Sequence, residues 1–227
     1  MHNENTGKSN NSDMDALEAE VREAVANGSH IQDTVHRLTL KAMNAQRVDL
    51  DSLKRIITAV MQGAHDGASQ QLQQATNQAH AAKSQITEAV AGLDSALAKF
   101  AEASKLAIEE AAGQAKKFSD TELARTRSDL ESLESLFLET LHHTATAAQG
   151  LIADVLLDIS HHAKNTGTHV GSQLKETLAT FAQQIASVGH SQVEVGASLA
   201  QKTADFVSKS ANGVLSGIKD QSKTGKH

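Results

Sequence analysis

The stretch LESLESLFLETLHHTATAAQGLIADVLLDISHH, residues 130–162, decides the fold. Leu130, Leu141 and Ile152 stand eleven residues apart. The positions three, four and seven later are mostly apolar too, among them Leu133, Phe137, Val155, Leu156 and Ile159. Eleven residues make three turns at about 3.67 residues per turn, close to the natural pitch of an α-helix. Those four offsets therefore stay on one face of a helix over a long distance.

The spacing extends in both directions. Upstream it runs through Ile31, Ala42, Leu53, Ala64, Ala75, Ile86, Leu97 and Ile108. Downstream it runs through Ala163, Leu174, Ile185, Gly196, Val207 and Ile218. Ser119 is the polar exception. Between residues 31 and 218, only Asp49, Glu122 and Glu134 carry charge at any of the four offsets. The larger apolar side chains gather in the second half: Leu130, Phe137, Leu141, Ile152, Val155, Ile159, Leu174, Phe181, Ile185, Val188, Leu199 and Val207.

Composition agrees with helix. The chain has no Pro, Cys, Trp or Tyr and five Phe among 227 residues. Strands favour aromatic and β-branched residues, whereas this chain is rich in helix formers. The expected class is all-α: long amphipathic helices with an 11-residue period, folded into an elongated bundle or hairpin. A tail over 1–12 and another over 219–227 are expected to be disordered. Between them, 13–118 and 119–218 read as N-terminal and C-terminal helical segments, the second with the stronger stripe.

Breaks are expected at ANGSH (26–30), QGAHDGAS (62–69), KKFSDTELA (116–124) and KNTGTHVG (164–171). Asp49 or Asp51 is placed to cap the helix that begins near DSLKRIITAVM. Ser119-x-x-Glu122 is a capping-box pattern. The pairs Gly63/Gly67, Gly167/Gly171 and Gly213/Gly217 have the spacing that permits close helix contact, but they read here as breakers.

Several functions lose ground at this stage. Without Cys there are no disulfides, thiolate zinc sites or Cys nucleophiles. No secretory signal and no apolar run of membrane-spanning length is read. A net charge of −6 argues against nucleic acid as a partner. The C-terminal quarter is net basic and would tolerate an acidic or lipid surface. No phosphate loop or nucleophile elbow is present, so an enzyme is not expected, and neither is a cofactor.

ETLHH (139–143) and DISHH (158–162) place a carboxylate three and four residues before a histidine pair, the spacing of metal ligands on a helix. Glu139, His142, His143, Asp158, His161 and His162 all fall off the apolar stripe. A core metal site is therefore disfavoured, and the pairs read as a polar face that gains charge near pH 6.5.

Eleven-residue amphipathic repeats in a chain without Pro or Cys resemble the exchangeable apolipoproteins and lipid-droplet coat helices. The texture of SALAKFAEASKLAIEEAAGQAKKFSD (95–120) resembles the phasins, which coat bacterial polyhydroxyalkanoate granules. The resemblance implies an all-helical, non-enzymatic protein that covers a granule, lipid or other apolar surface with its stripe; a cytoplasmic location, peripheral to granules or membrane, and a homo-oligomer are expected beside it. The alternative is a coiled-coil or structural scaffold that keeps the stripe packed against partner helices. A metal-binding helical bundle is the distant third.

Overall fold

The computed structural model describes residues 4–45, 49–74, 79–113 and 120–188, and among them it holds seven α-helices and no strand. They are α1 (Glu4–Asn27), α2 (Ile31–Ala45), α3 (Leu50–Gln74), α4 (Ala79–Gly113), α5 (Asp120–Ala147), α6 (Gly150–Thr166) and α7 (His169–Val188). At 1.5 Å per residue, α4 is about 50 Å long.

The helices form three hairpins placed side by side. In the first, Glu20 of α1 meets Lys41 of α2, so the two run antiparallel across the turn at Gly28–His30. Contacts between hairpins then run in parallel. Gly63 of α3 lies on Glu18 and Val21 of α1, and Gly67 lies on Arg22 and Val25. Gly92 of α4 lies on Gln32 and Val35 of α2. Asp94 of α4 holds His169 and Val170, and Ala101 accepts from Thr177, so α7 descends alongside α4.

One layer is therefore α1, α3 and α5, all in one direction. The other is α2, α4 and the α6–α7 arm, all in the opposite direction. Among the described residues one hydrophobic core joins all seven helices.

The stripe faces that core. Ile31, Leu53, Ala64, Ile86, Leu97, Ile108, Leu130, Leu141, Ile152 and Leu174 are all buried. Amphipathic helices pack their apolar stripes inward because burial removes about 25 cal/mol per Å² from water.

Several expected boundaries move. The first described helix begins at Glu4, inside the stretch expected to be disordered. QGAHDGAS is no turn, because α3 runs unbroken through it to Gln74. Its glycines serve close packing: a Cβ at Gly63 would sit 2.5 Å from the Glu18 carbonyl oxygen, and one at Gly67 would sit 2.6 Å from that of Arg22. Carbonyl oxygens of a neighbouring helix cannot retreat without moving the helix, so only glycine fits.

KNTGTHVG does interrupt the helix, with Gly167 at φ +87, but the chain bends and continues down α4 rather than folding back. The real reversal in this half is at Ala148–Gln149, before Gly150 at φ +59. Ser119 of the capping-box pattern and the tail 219–227 lie outside the described residues.

At the start of α3, Asp49 Oδ1 accepts the Ser52 N–H at 2.8 Å, as a helix cap should. Burial works against its charge. The Ser52 hydrogen bonds, with Arg55 and Arg125, outweigh that and hold its carboxyl below the usual value.

Candidate functional site

The densest polar constellation in the described residues sits where α6 gives way to α7. A helix start leaves backbone N–H groups without intrahelical partners. Here they are satisfied by a carboxylate of α4 and by the residue before the helix, itself tied to α5. Asp94 on α4 is only 9% exposed. Its carboxylate accepts from the His169 N–H and the Val170 N–H, both at 2.9 Å. Thr168, the residue before the helix, accepts the Gly171 N–H at 2.8 Å. Its hydroxyl donates in turn to Glu134 Oε1 of α5 at 2.6 Å.

Two carboxylates thus stand at the positive end of the α7 dipole, the favourable end for anions. Gly171 belongs to this arrangement, since any Cβ there would run into the Glu134 carboxylate. Lower down, Thr177 donates to the Ala101 carbonyl at 3.0 Å. The result is a latch that fastens the second part of the C-terminal arm to α4 and α5.

A groove of about 390 Å³ runs beside the latch. Val90, Ala91, Phe137 and Ile159 form its apolar side. Asp94, His162, Thr166 and His169 supply polar groups. Nearby, Ser160 is fully buried and its hydroxyl has no partner among the described residues.

The stripe is not an open surface in this conformation. Leu130, Phe137, Leu141, Ile152, Val155, Leu174 and Phe181 are buried, and Ile159 is half-buried at the groove. The side chains of Ile185 and Val188, and all of Leu199 and Val207, lie outside the described residues. Half-buried large aliphatic residues nevertheless concentrate in the third hairpin: Leu136, Leu138, Leu151, Leu157 and Leu178 join Ile159 there.

The metal-ligand pattern is dispersed. Glu139, His142, His143, Asp158, His161 and His162 are all exposed. Glu139 and His143 border a groove against Lys54 of α3, whereas His162 faces Asp94. Among the described residues no group of three or more His, Asp or Glu could hold a metal ion.

Sequence reading missed Asp94 and Thr168. Glu134 had left a trace as one of three charges on an otherwise apolar stripe. Asp49, another of those three, is the cap of α3. A lone charge on a long apolar face therefore marked a helix end, one of them through space.

The interior also holds a pH-sensitive group. His36 of α2 has its pKa lowered, first by burial and further by Lys99 across on α4, against the opposing effect of Asp33. Its Nδ1 is buried without a partner. A depressed histidine pKa means that the unfolded chain takes up the proton first. Stability is then full above about pH 6.5 and falls as pH drops below it. The melting temperature should decline between pH 7.5 and 5.5, and His36→Gln should flatten that decline; an unchanged slope would assign it to other groups.

No described helix is long and apolar enough to cross a membrane. No curated protein and no solved structure matches this chain. A model described as a family of unknown function, DUF6781, matches residues 7–223, and the chain belongs to that family.

Proposed function

We propose that the protein is a non-enzymatic amphipathic-helix protein that binds apolar surfaces, such as a storage granule or a lipid face, by releasing α7 and turning its buried stripe outward. The latch is the observation that supports this reading. A helix with Val170, Leu174 and Phe181 on its inner face is held at its N-terminus by side chains from two other helices. It follows a ready bend at Gly167. Undoing one polar cluster would expose apolar area without unravelling the other two hairpins. The histidine pairs lie exposed on α5 (His142, His143) and α6 (His161, His162), off the inner face.

The closed scaffold is the second reading. Burial of the stripe in a single core favours it. Co-sedimentation with vesicles separates the two. Phosphatidylcholine vesicles, with and without an anionic lipid, should retain the protein and raise its protection along α1–α4 little. A protein that stays in the supernatant at every lipid composition, including after the latch is removed, sinks surface binding and leaves the scaffold.

A further inference from the structure

We propose that the groove between α4 and α6 is a binding site for a small organic cation, a primary amine on a short hydrocarbon chain, with its ammonium group at Asp94. The groove, about 390 Å³, is of a size that takes small ligands. Along α4 it runs from Thr87 to Asp94, two turns or about 10 Å. Phe137 reaches it from α5 and is only 1% exposed, so it closes the bottom. Val90 and Ala91 form the α4 wall, and Ile159 and Ala163 the α6 wall. Water on such a strip finds few polar partners, and a hydrocarbon chain displaces it with a gain.

Charge selects the head group. Asp94 accepts one backbone N–H at each oxygen, from His169 and Val170. A carboxylate has about four acceptor positions, so two stay open. The start of α7 offsets the negative charge only in part, by about half a unit. Among the described residues every ion pair lies elsewhere, and no Lys or Arg lines the groove. Glu134 stands behind Thr168, half-buried, and adds to the negative potential. An ammonium group therefore meets an opposite charge at a carboxylate only 9% exposed, where salt screens least. A carboxylate on the same chain would meet a like charge.

Thr168 and His169 border the groove together with α4, so the seat is complete only while α7 is docked. A ligand there should raise the melting temperature. The site goes beyond surface binding and does not rest on it, and its test uses no lipid.

At pH 8, calorimetric titration of the full chain with octylamine should show one saturable site. Octanoate should bind at least tenfold more weakly. Ala91→Phe fills the place of the hydrocarbon chain. His162→Lys, at an exposed position on the rim, sets an ammonium group of the protein beside Asp94. Each variant should weaken octylamine at least tenfold with the circular dichroism of the free protein unchanged, and His162→Lys should not weaken octanoate. Should Ala91→Phe fail to fold, His162→Lys decides by itself. Octylamine that does not saturate, that binds no more tightly than octanoate, or that keeps its affinity in His162→Lys overturns the site.

Discussion

Changing Gly63 and Gly67 together to alanine is expected to destabilise the protein by about 3 kcal/mol, as read from denaturant unfolding followed by circular dichroism. The sign matters more than the size. Both residues lie inside α3. Glycine in a helix interior costs about 1 kcal/mol relative to alanine, so two replacements at open positions would stabilise by about 2 kcal/mol. Here each new methyl group would meet backbone of α1: the Glu18 carbonyl oxygen at 2.5 Å and the Arg22 carbonyl oxygen at 2.6 Å.

Overpacking of this kind costs typically 1–3 kcal/mol per site. Relief requires α1 to lift away from α3. That would loosen Val21 and Val25, both fully buried, and the bond from Gln71 to the Ala26 carbonyl. The loss should therefore exceed the propensity gain. A double variant more stable than wild type would show that these glycines merely weaken α3 and that α1 has room.

These glycines also show what was legible and what was not. The apolar period required only that residues three, four, seven and eleven apart share a face. That is a one-dimensional property: it agrees with the burial of Leu53, Leu97 and Leu141, but Leu40 and Met61 are buried off its four positions. A glycine pair four apart has two physical uses, breaking a helix or letting another approach. Choosing between them needs the identity of the neighbour, which lies 45 residues away at Glu18 and Arg22. So QGAHDGAS read as a break, when the chain passes straight through it.

The bend at Gly167 was visible because positive φ selects glycine locally. Whether the chain reversed there was not, since α7 follows α4 by contacts 75 and 76 residues apart. Layer order was equally out of reach. It depends on which stripe edges meet, and Ala, Gly and Thr at those edges look alike along the sequence.

The site was half legible for a related reason. ETLHH and DISHH drew attention because their spacing resembles a motif, yet all six residues face solvent. Glu134 left a signal through its misplaced charge. Asp94 left none: it falls at the edge of the stripe beside ordinary surface charges such as Lys83 and Lys105 in the same frame. Nothing local distinguishes a carboxylate that will meet water from one that will meet the start of a helix 75 residues on.

Asp94 is accordingly where the second large effect is expected. Asp94→Ala removes both acceptors of the His169 and Val170 N–H groups. Hydrogen bonds to charged groups contribute about 1.5–3 kcal/mol each, and buried donors left without partners carry their own desolvation cost. A loss of about 3–5 kcal/mol follows if α7 stays docked.

The helix has an alternative, however. It can undock, and the cost is then limited to what its inner face gains from Val170, Leu174, Thr177 and Phe181. The variant should therefore show fast amide exchange confined to α7, with α1–α4 still protected, rather than uniform loosening. Glu139→Ala on the exposed face of α5 serves as the control and should change stability by less than about 0.5 kcal/mol. Surface binding and the scaffold diverge at this variant. If the buried stripe is what binds apolar surfaces, removing the latch lowers the cost of opening, and Asp94→Ala should co-sediment with vesicles at lower lipid concentration than wild type. If α7 undocks and vesicle binding does not rise, the inner face of α7 is core and nothing more, and the protein works closed.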